Sequence, residues 1–280
     1  MKTLNIIGVG KVGKVLAKNF LRQQQFAIQQ VLNRSMASAS TAVAWLGAGR
    51  AVDAIAQLQP ADVTMLTVSD DQITSVCQQL ADAGLLKDGS VIFHCSGAKA
   101  STELQAARMA GATVASVHPV RSFANVDLLA EQFVGTICSL EGDEAALAVL
   151  VPALQAIGAE TVIIQAENKL LYHAGSVFAS NYLVTLMEVA LRTYQAAGIP
   201  AEVAQKMAAP LARQTLENVF ALGTQAALTG PIARGDMQTV VLQQSRLSEW
   251  DQQAGDLYRV FTQPTVDLAA ARISDSHSEK

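Results

Sequence analysis

The sequence predicts an α/β protein: a doubly wound parallel sheet with helices on both faces, followed by an all-α half. Three observations carry this. Short apolar runs alternate with helix-like segments from residue 4 to about residue 165. A glycine-rich turn links the first apolar run to the first helical pattern. No strand signal follows residue 165. Strand–helix alternation is the mark of a parallel sheet, because each parallel pair needs a crossover long enough to hold a helix.

The strand candidates are Leu4–Ile7, Ala27–Leu32, Val63–Thr67, Val91–His94, Thr113–Val117, Thr136–Leu140 and Glu160–Ile164. Between them, segments such as Val12–Arg22 and Ile73–Ala83 carry helical spacing. Residues 167–197 then read as one long helix, with Gly175 its single glycine, closed by Gly198-Ile199-Pro200. Residues 201–222 and 236–272 read as further helices around a Leu222–Gly235 connection, and the polar tail from Ser274 reads as disordered. The predicted division is a dinucleotide-binding domain over 1–165, a helical substrate and dimerisation domain over 166–272, and a tail over 273–280. No Pro/Gly/Ser linker marks residue 165, so the expectation is two tightly joined domains with a site in the crevice between them.

Composition narrows the function. The chain is 50% hydrophobic, 16% charged and 5% aromatic, which suits helices packing through small side chains. With a formal charge of −4 and no Lys/Arg cluster, neither nucleic acid nor an anionic membrane is an expected partner. Cys77, Cys95 and Cys138 are widely spaced, which argues against a disulfide framework or a structural zinc and for a reducing compartment. There is no signal-peptide pattern, and no apolar stretch is read as reaching the about 18 residues of a membrane span. The expected location is the cytoplasm.

Gly8-Val9-Gly10-Lys11-Val12-Gly13 is a GxGxxG that follows an apolar strand and opens a helix. In that context Gly8 permits the tight turn, Gly10 lets the backbone approach a pyrophosphate, and Gly13 lets helix and strand pack closely. The helix N-terminus offers its N–H groups to phosphate. An NAD site places an acidic residue about 20 residues further on. Here the position holds Asn33, followed by Arg34 and Ser35. A carboxylate would repel a 2′-phosphate, whereas Arg grips one in a fork, so the expected cofactor is NADP. Val68 and Ser69, at the end of the Val63–Thr67 strand, are placed to cover the dinucleotide, and Asp70 or Asp71 to cap the next helix.

The reacting side is sought among the histidines. His94-Cys95-Ser96-Gly97 and His118-Pro119 both follow strands. His94, Ser96 and His118 are therefore candidate substrate contacts. On the long helix Lys169, His173, Ser176 and Ser180 recur at i, i+4, i+7 and i+11, on one face, with Asn181 one step round. Hydride transfer to C=O or C=N leaves charge that a donor must neutralise. Lys169 or His173 is the candidate acid/base and Asn181 the orienting residue, with Ser176 and Ser180 as substrate contacts. Arg234, in the loop Thr229–Asp236, is the candidate anion contact there. A metal site from the histidines and Cys95 matches no zinc spacing.

These residues carry a resemblance. The glycine motif with Asn33-Arg34-Ser35 and the helical second half resemble the 6-phosphogluconate dehydrogenase-like superfamily, which includes pyrroline-5-carboxylate reductase. More closely, His94-Cys95-Ser96-Gly97-Ala98, His118-Pro119 with Ser122-Phe123, Tyr172-His173-Ala174 with Asn181-Tyr182, and Gly230-Pro231-Ile232-Ala233-Arg234-Gly235-Asp236 resemble a family of bacterial Rossmann-like proteins. Its second domain has no assigned function, and its members are described as NADP- or deazaflavin-dependent oxidoreductases. The resemblance implies a Rossmann domain followed by a helical domain that builds a homodimer. The β-hydroxyacid dehydrogenase pattern, Lys with Asn four residues later, survives only at Lys169, since His173 holds the second position. The expectation is an NADP-dependent oxidoreductase acting on a small carbonyl, imine or hydroxyacid. The alternative is a non-catalytic NADP-binding sensor or scaffold.

Overall fold

The computed structural model describes residues 1–278, with side-chain surroundings through residue 271. It divides into two compact units, Met1–Ala179 and Ser180–Lys280. The first contains the helix that begins at Lys169, which the sequence reading placed with the second domain.

In the first unit the apolar runs become β1 (Lys2–Ile7), β2 (Phe26–Leu32), β3 (Arg50–Val52), β4 (Val63–Leu66), β5 (Val91–His94), β6 (Thr113–Pro119), β7 (Ile137–Gly142) and β8 (Glu160–Ile163). The helices between them are α1 (Lys11–Arg22), α2 (Met36–Leu46), α3 (Ile73–Asp82), α4 (Gln105–Met109), α5 (Val126–Glu131) and α6 (Glu144–Ala156). The strands form one sheet in the order β3-β2-β1-β4-β5-β6-β7-β8. The order reverses between β1 and β4, and in such sheets ligands bind beyond the carboxyl ends of the strands at that switch point.

Two features depart from the sequence reading. β3 is absent from the strand candidates because three residues carry too little periodicity to register. β7 runs antiparallel to β6, its neighbour in the sheet, so the sheet is parallel except at that step. Strand alternation sorts the core onto two faces. Leu4, Ile6, Val63, Met65, Phe93, Val117 and Leu140 pack with α1 on one. Ile7, Leu66, Ile92 and Val114 pack with α3 on the other.

The expected single helix over 167–197 is two helices, α7 (Lys169–Val177) and α8 (Leu183–Ala196), joined by a π-helical turn over Phe178–Tyr182. A π turn inserts one residue into the helical count, which rotates the downstream residues by roughly 100°. The expected stripe therefore holds for Lys169, His173 and Ser176 and loses its phase at Ser180. The whole run Ala166–Ala196 is also long and apolar enough to cross a membrane by length and composition, with mean hydropathy 1.3 over its best window. This corrects the expectation that no segment reaches that measure: scattered Ser, Thr and Gly interrupt the apolar run without lowering its mean hydropathy much.

The second unit continues with α9 (Ala201–Leu222), α10 (Thr224–Ala227), α11 (Met237–Trp250) and α12 (Gln252–Ser278). The expected helix over 236–272 breaks at Asp251, whose backbone is extended (φ −151°, ψ 107°). Its carboxylate accepts from the N–H groups of Gln253 and Ala254, an N-cap that starts α12. α12 continues through most of the tail expected to be disordered, and residues 279–280 lie outside the described residues.

Candidate functional site

The glycine turn is built from β1, α1 and β4. Gly8 has φ +79°, and a Cβ there would meet Val68 Cγ1 at 2.6 Å and Val68 N at 2.8 Å. Its N–H donates to Leu32 O (2.8 Å), while its carbonyl accepts from the Thr67 hydroxyl. A Cβ on Gly13 would run into Thr67. Both glycines are thus demanded by the protein's own packing. Gly10 is different: the nearest atom to its ideal Cβ is Thr67 O at 4.0 Å. Nothing inside the chain requires glycine there, and no side chain caps α1. The N–H groups of the first turn, which have no intrahelical acceptor, face this open cradle. The arrangement fits a dinucleotide pyrophosphate.

The three residues after β2 divide their roles. Asn33 Oδ1 accepts from Val9 N (2.7 Å), tying β2 to the glycine turn. Ser35 caps α2 by accepting from Ser38 N (3.3 Å). Arg34 is exposed and makes no hydrogen bond or ion pair among the described residues. Of the three, Arg34 is the one open to a phosphate. Val68 lies against Gly8, and Ser69 opens the turn that follows β4.

The polar residues at the ends of β4, β5 and β6 form two layers. The inner layer is structural. His94 is fully buried; its Nε2 donates to Ala100 O (3.1 Å) and its Nδ1 accepts from Ser96 N (3.2 Å), which assigns the tautomer. Burial pushes it down to about 4. Ser96 Oγ donates to Asp70 (2.7 Å) and accepts from Lys99 N (2.9 Å). Lys169 is 1% exposed, and its Nζ donates to Ser96 O (3.0 Å) and Ser116 Oγ (2.6 Å). Burial holds it below the ordinary lysine value, against the nearby charges of Glu141 and Asp70. His94 and Ser96 hold the β5 loop together, and the Lys169 amine ties α7 to that loop.

The outer layer is His118, Tyr172 and His173. His118 Nδ1 lies 2.8 Å from the Tyr172 hydroxyl, and its ring stands edge-on to Tyr172 and to His173, with centroids 5.8 and 5.5 Å apart. Burial and the adjoining His173 and Lys169 push His118 down to about 4, while burial raises the Tyr172 phenol. Gly97 makes room for both imidazoles: a Cβ there would meet His173 Cε1 at 2.8 Å and His118 Nε2 at 2.9 Å. Two buried side-chain polar atoms have no hydrogen-bond partner among the described residues, Ser139 Oγ and His173 Nδ1. Both belong here, since Ser139 is the cross-strand partner of His118.

All of these residues belong to the first unit. Ser176 sits one turn beyond Tyr172 and His173 on α7. Ser180 and Asn181, in the π turn, and Arg234, in a 3-10 turn over Ile232–Arg234, are exposed residues of the second unit. Asp236 caps α11 through Thr239 N (3.1 Å). The sequence reading gave no role to Tyr172, Ser116, Ser139 or Gly97. Tyr172 was the findable one, because it lies three residues from Lys169 on the same helix face. Ser116 and Ser139 carry no signal within their strands. Among the described residues no three His, Cys, Asp or Glu side chains gather as a metal-binding group.

The second unit holds an apolar cavity of about 760 Å3 between α8, α11 and α12, lined by residues such as Val189, Tyr194, Leu247, Trp250 and Phe261. None of its lining residues is a candidate site residue.

Comparison with known proteins agrees with this architecture. Residues 2–119 match a family described as Rossmann-like domain, and residues 136–265 match a domain of unknown function, DUF2520. No curated protein matches the chain. Among solved structures, a protein of Thermotoga maritima superposes with TM-score 0.74 at 26% identity, covering 96% of this chain and 99% of that one. A pyrroline-5-carboxylate reductase of Coxiella burnetii superposes with TM-score 0.60 at 15% identity (95% and 98% covered). An imine reductase of Myxococcus stipitatus, solved with NADP+, gives TM-score 0.65 at 17% identity (98% and 95% covered). The chain thus matches a Rossmann-like domain model followed by a DUF2520 domain model.

Proposed function

We propose that this protein is an NADP-dependent oxidoreductase acting on a small carbonyl, imine or hydroxyacid substrate. The observation that carries the reading is Gly10. The protein's own packing accounts for Gly8 and Gly13, whereas the space beside Gly10 is open over an uncapped helix N-terminus. The turn Gly8–Gly13, with the first-turn N–H groups of Lys11, Val12 and Gly13, would hold the pyrophosphate. Arg34 would take the 2′-phosphate, Asn33 would keep the turn in place, and Val68 and Ser69 would cover the dinucleotide. When bound, the cofactor supplies a hydride. The outer layer His118, Tyr172 and His173 supplies the groups that exchange a proton, and it stands at the ends of β5 and β6 on the same side of the sheet. The reductases among the similar structures support this reading.

The test is a fluorescence titration with NADPH and NADH, then NADPH oxidation with a panel of keto acids, imines and aldehydes. NADPH should bind more tightly than NADH, and Arg34→Ala should weaken NADPH by about tenfold or more, the scale of a lost charge-assisted hydrogen bond. Equal affinities would overturn the NADP preference, and no binding would overturn the reading. Binding without oxidation of any substrate would favour a sensor or scaffold.

We further infer a homodimer through the helical unit. That unit's buried hydrophobic residues are Ala204, Ala208, Val240 and Ala254 among the described residues. Meanwhile Val184, Leu211, Phe220, Val241 and Val260 stand more than half exposed. A second copy supplies a matching apolar surface in equal amount. A lipid surface is the competing occupant, and the state of the protein in detergent-free buffer separates the two.

A further inference from the structure

We propose that Tyr172, held by His118, is the proton donor of the reaction: its hydroxyl hands a proton to the substrate heteroatom, and His118 Nδ1–H then holds the phenolate. This rests on the oxidoreductase reading above. Elimination narrows the choice. His94 has given both ring nitrogens to backbone groups, and the Lys169 amine is 1% exposed and committed to Ser96 O and Ser116 Oγ. The Tyr172–His118 contact at 2.8 Å is the donor pair of the outer layer.

Three observations support the pair. His173 Nδ1, buried and without a partner among the described residues, flanks it, and Ser139 Oγ lies beside the Tyr172 hydroxyl. Leaving a buried polar atom unpaired is expensive enough to ask for an explanation, and here it points to retention for chemistry rather than for stability. Gly97 has no positive φ to justify it and serves to admit the two imidazoles. The surroundings also favour a neutral His118. The titratable and charged groups facing the pair are His173 and Lys169 on α7, Asp70 after β4 and Cys138 on β7. Together with burial, the cationic side keeps His118 uncharged. A neutral imidazole has one N–H and one lone pair. With the N–H at Nδ1 given to the phenol oxygen, the phenol proton points away from His118, toward the side of Ser139 and Ser176, and a substrate heteroatom there would receive it.

The step balances. A bound reduced nicotinamide would supply the hydride for the new C–H bond at the substrate carbon and would itself be left oxidised. The C=O or C=N π pair moves to the heteroatom, the Tyr172 O–H bond breaks, and the heteroatom–H bond forms. Water restores the Tyr172 proton.

The experiment has two arms. In the first, Tyr172→Phe should bind NADPH as the wild type does and lose turnover by about 100-fold or more, the range of general acid catalysis. His118→Asn, whose amide can still donate, should keep more activity than His118→Ala. In the second, nitrogen NMR of labelled histidine reads the His118 ring directly. Its Nδ1 should carry the proton and stay uncharged until the pH approaches about 4, and Tyr172→Phe should move the Nδ1–H signal. A bare Nδ1 with the proton on Nε2, or full turnover in Tyr172→Phe, overturns the proton-donor assignment alone. Failure of the wild type to bind NADPH overturns the parent reading, and the assignment with it.

Discussion

The two compact units spend their apolar residues in opposite ways. The sheet unit buries them: among the described residues, all but four of the buried hydrophobic residues lie in Met1–Ala179. The helical unit displays them, with Phe220 85% exposed and Leu211 61% exposed. Burying an apolar side chain is worth about 1.5–3 kcal/mol, so the sheet unit holds its own fold while the helical unit leaves most of that stabilisation unused within one chain. The difference is what underlies the proposal that the helical unit pairs with a second copy. The polar residues show the same division. In the sheet unit they are wired inward, through Asp70, Ser96, Ser116 and Lys169. In the helical unit the ion pairs are surface pairs such as Arg246–Glu249, each worth less than about 1 kcal/mol.

The largest effect expected from breaking this contrast is in assembly. Leu211→Glu with Phe220→Glu would cost under about 0.5 kcal/mol each if those side chains faced only water. If they meet a second copy, sedimentation velocity should show the dimer replaced by monomer and the thermal transition of the helical unit should fall or vanish, since an obligate dimer's stability includes its interface. An unchanged mass would remove these helices from the interface.

The next effect sharpens the inward wiring. Lys169→Ala should destabilise the sheet unit by about 3 kcal/mol, through two lost charge-assisted hydrogen bonds and a cavity. Lys169→Met, which fills the space without a charge, should recover part of this in urea denaturation. A loss as large in both would mean that the hydrogen bonds, not packing, hold α7.

An effect of similar size, confined to acid pH, is expected from His94. His94 is held near 4 in the folded chain against an ordinary value of 6.5. The unfolded chain therefore binds the proton first, and folding free energy from this group is fully present above about pH 6.5 and is lost as the pH falls toward 4. The loss is on the order of 3 kcal/mol at the acid end. His94→Gln should flatten the dependence of urea midpoint on pH across that window, and an unaltered slope would place the acid sensitivity elsewhere.

Much of this was legible in the residues. The seven longer strands and the turn Gly8–Gly13 could be read because alternation and glycine spacing are local properties of the chain. The candidate site was harder. His94, His118 and Lys169 are equally good acids and ligands by residue type, and their difference is one of partners contributed by distant segments: Ala100 for His94, Tyr172 for His118, Ser116 for Lys169. The stripe at Lys169, His173, Ser176 and Ser180 assumed a constant helical period, which the π turn at Phe178–Tyr182 interrupts.

By itself, then, the sequence determined the strand–helix order, the glycine turn and the change to an all-helical half, because each depends on the identities of residues within about a turn of one another. Only the tertiary structure decided which histidine is sealed and which stands beside a phenol. It also decided that β7 runs against β6, and that the Lys169 amine is buried under the β5 loop. Those outcomes depend on burial and on hydrogen bonds between residues far apart in the chain, and no local pattern records which long-range partner a side chain will meet.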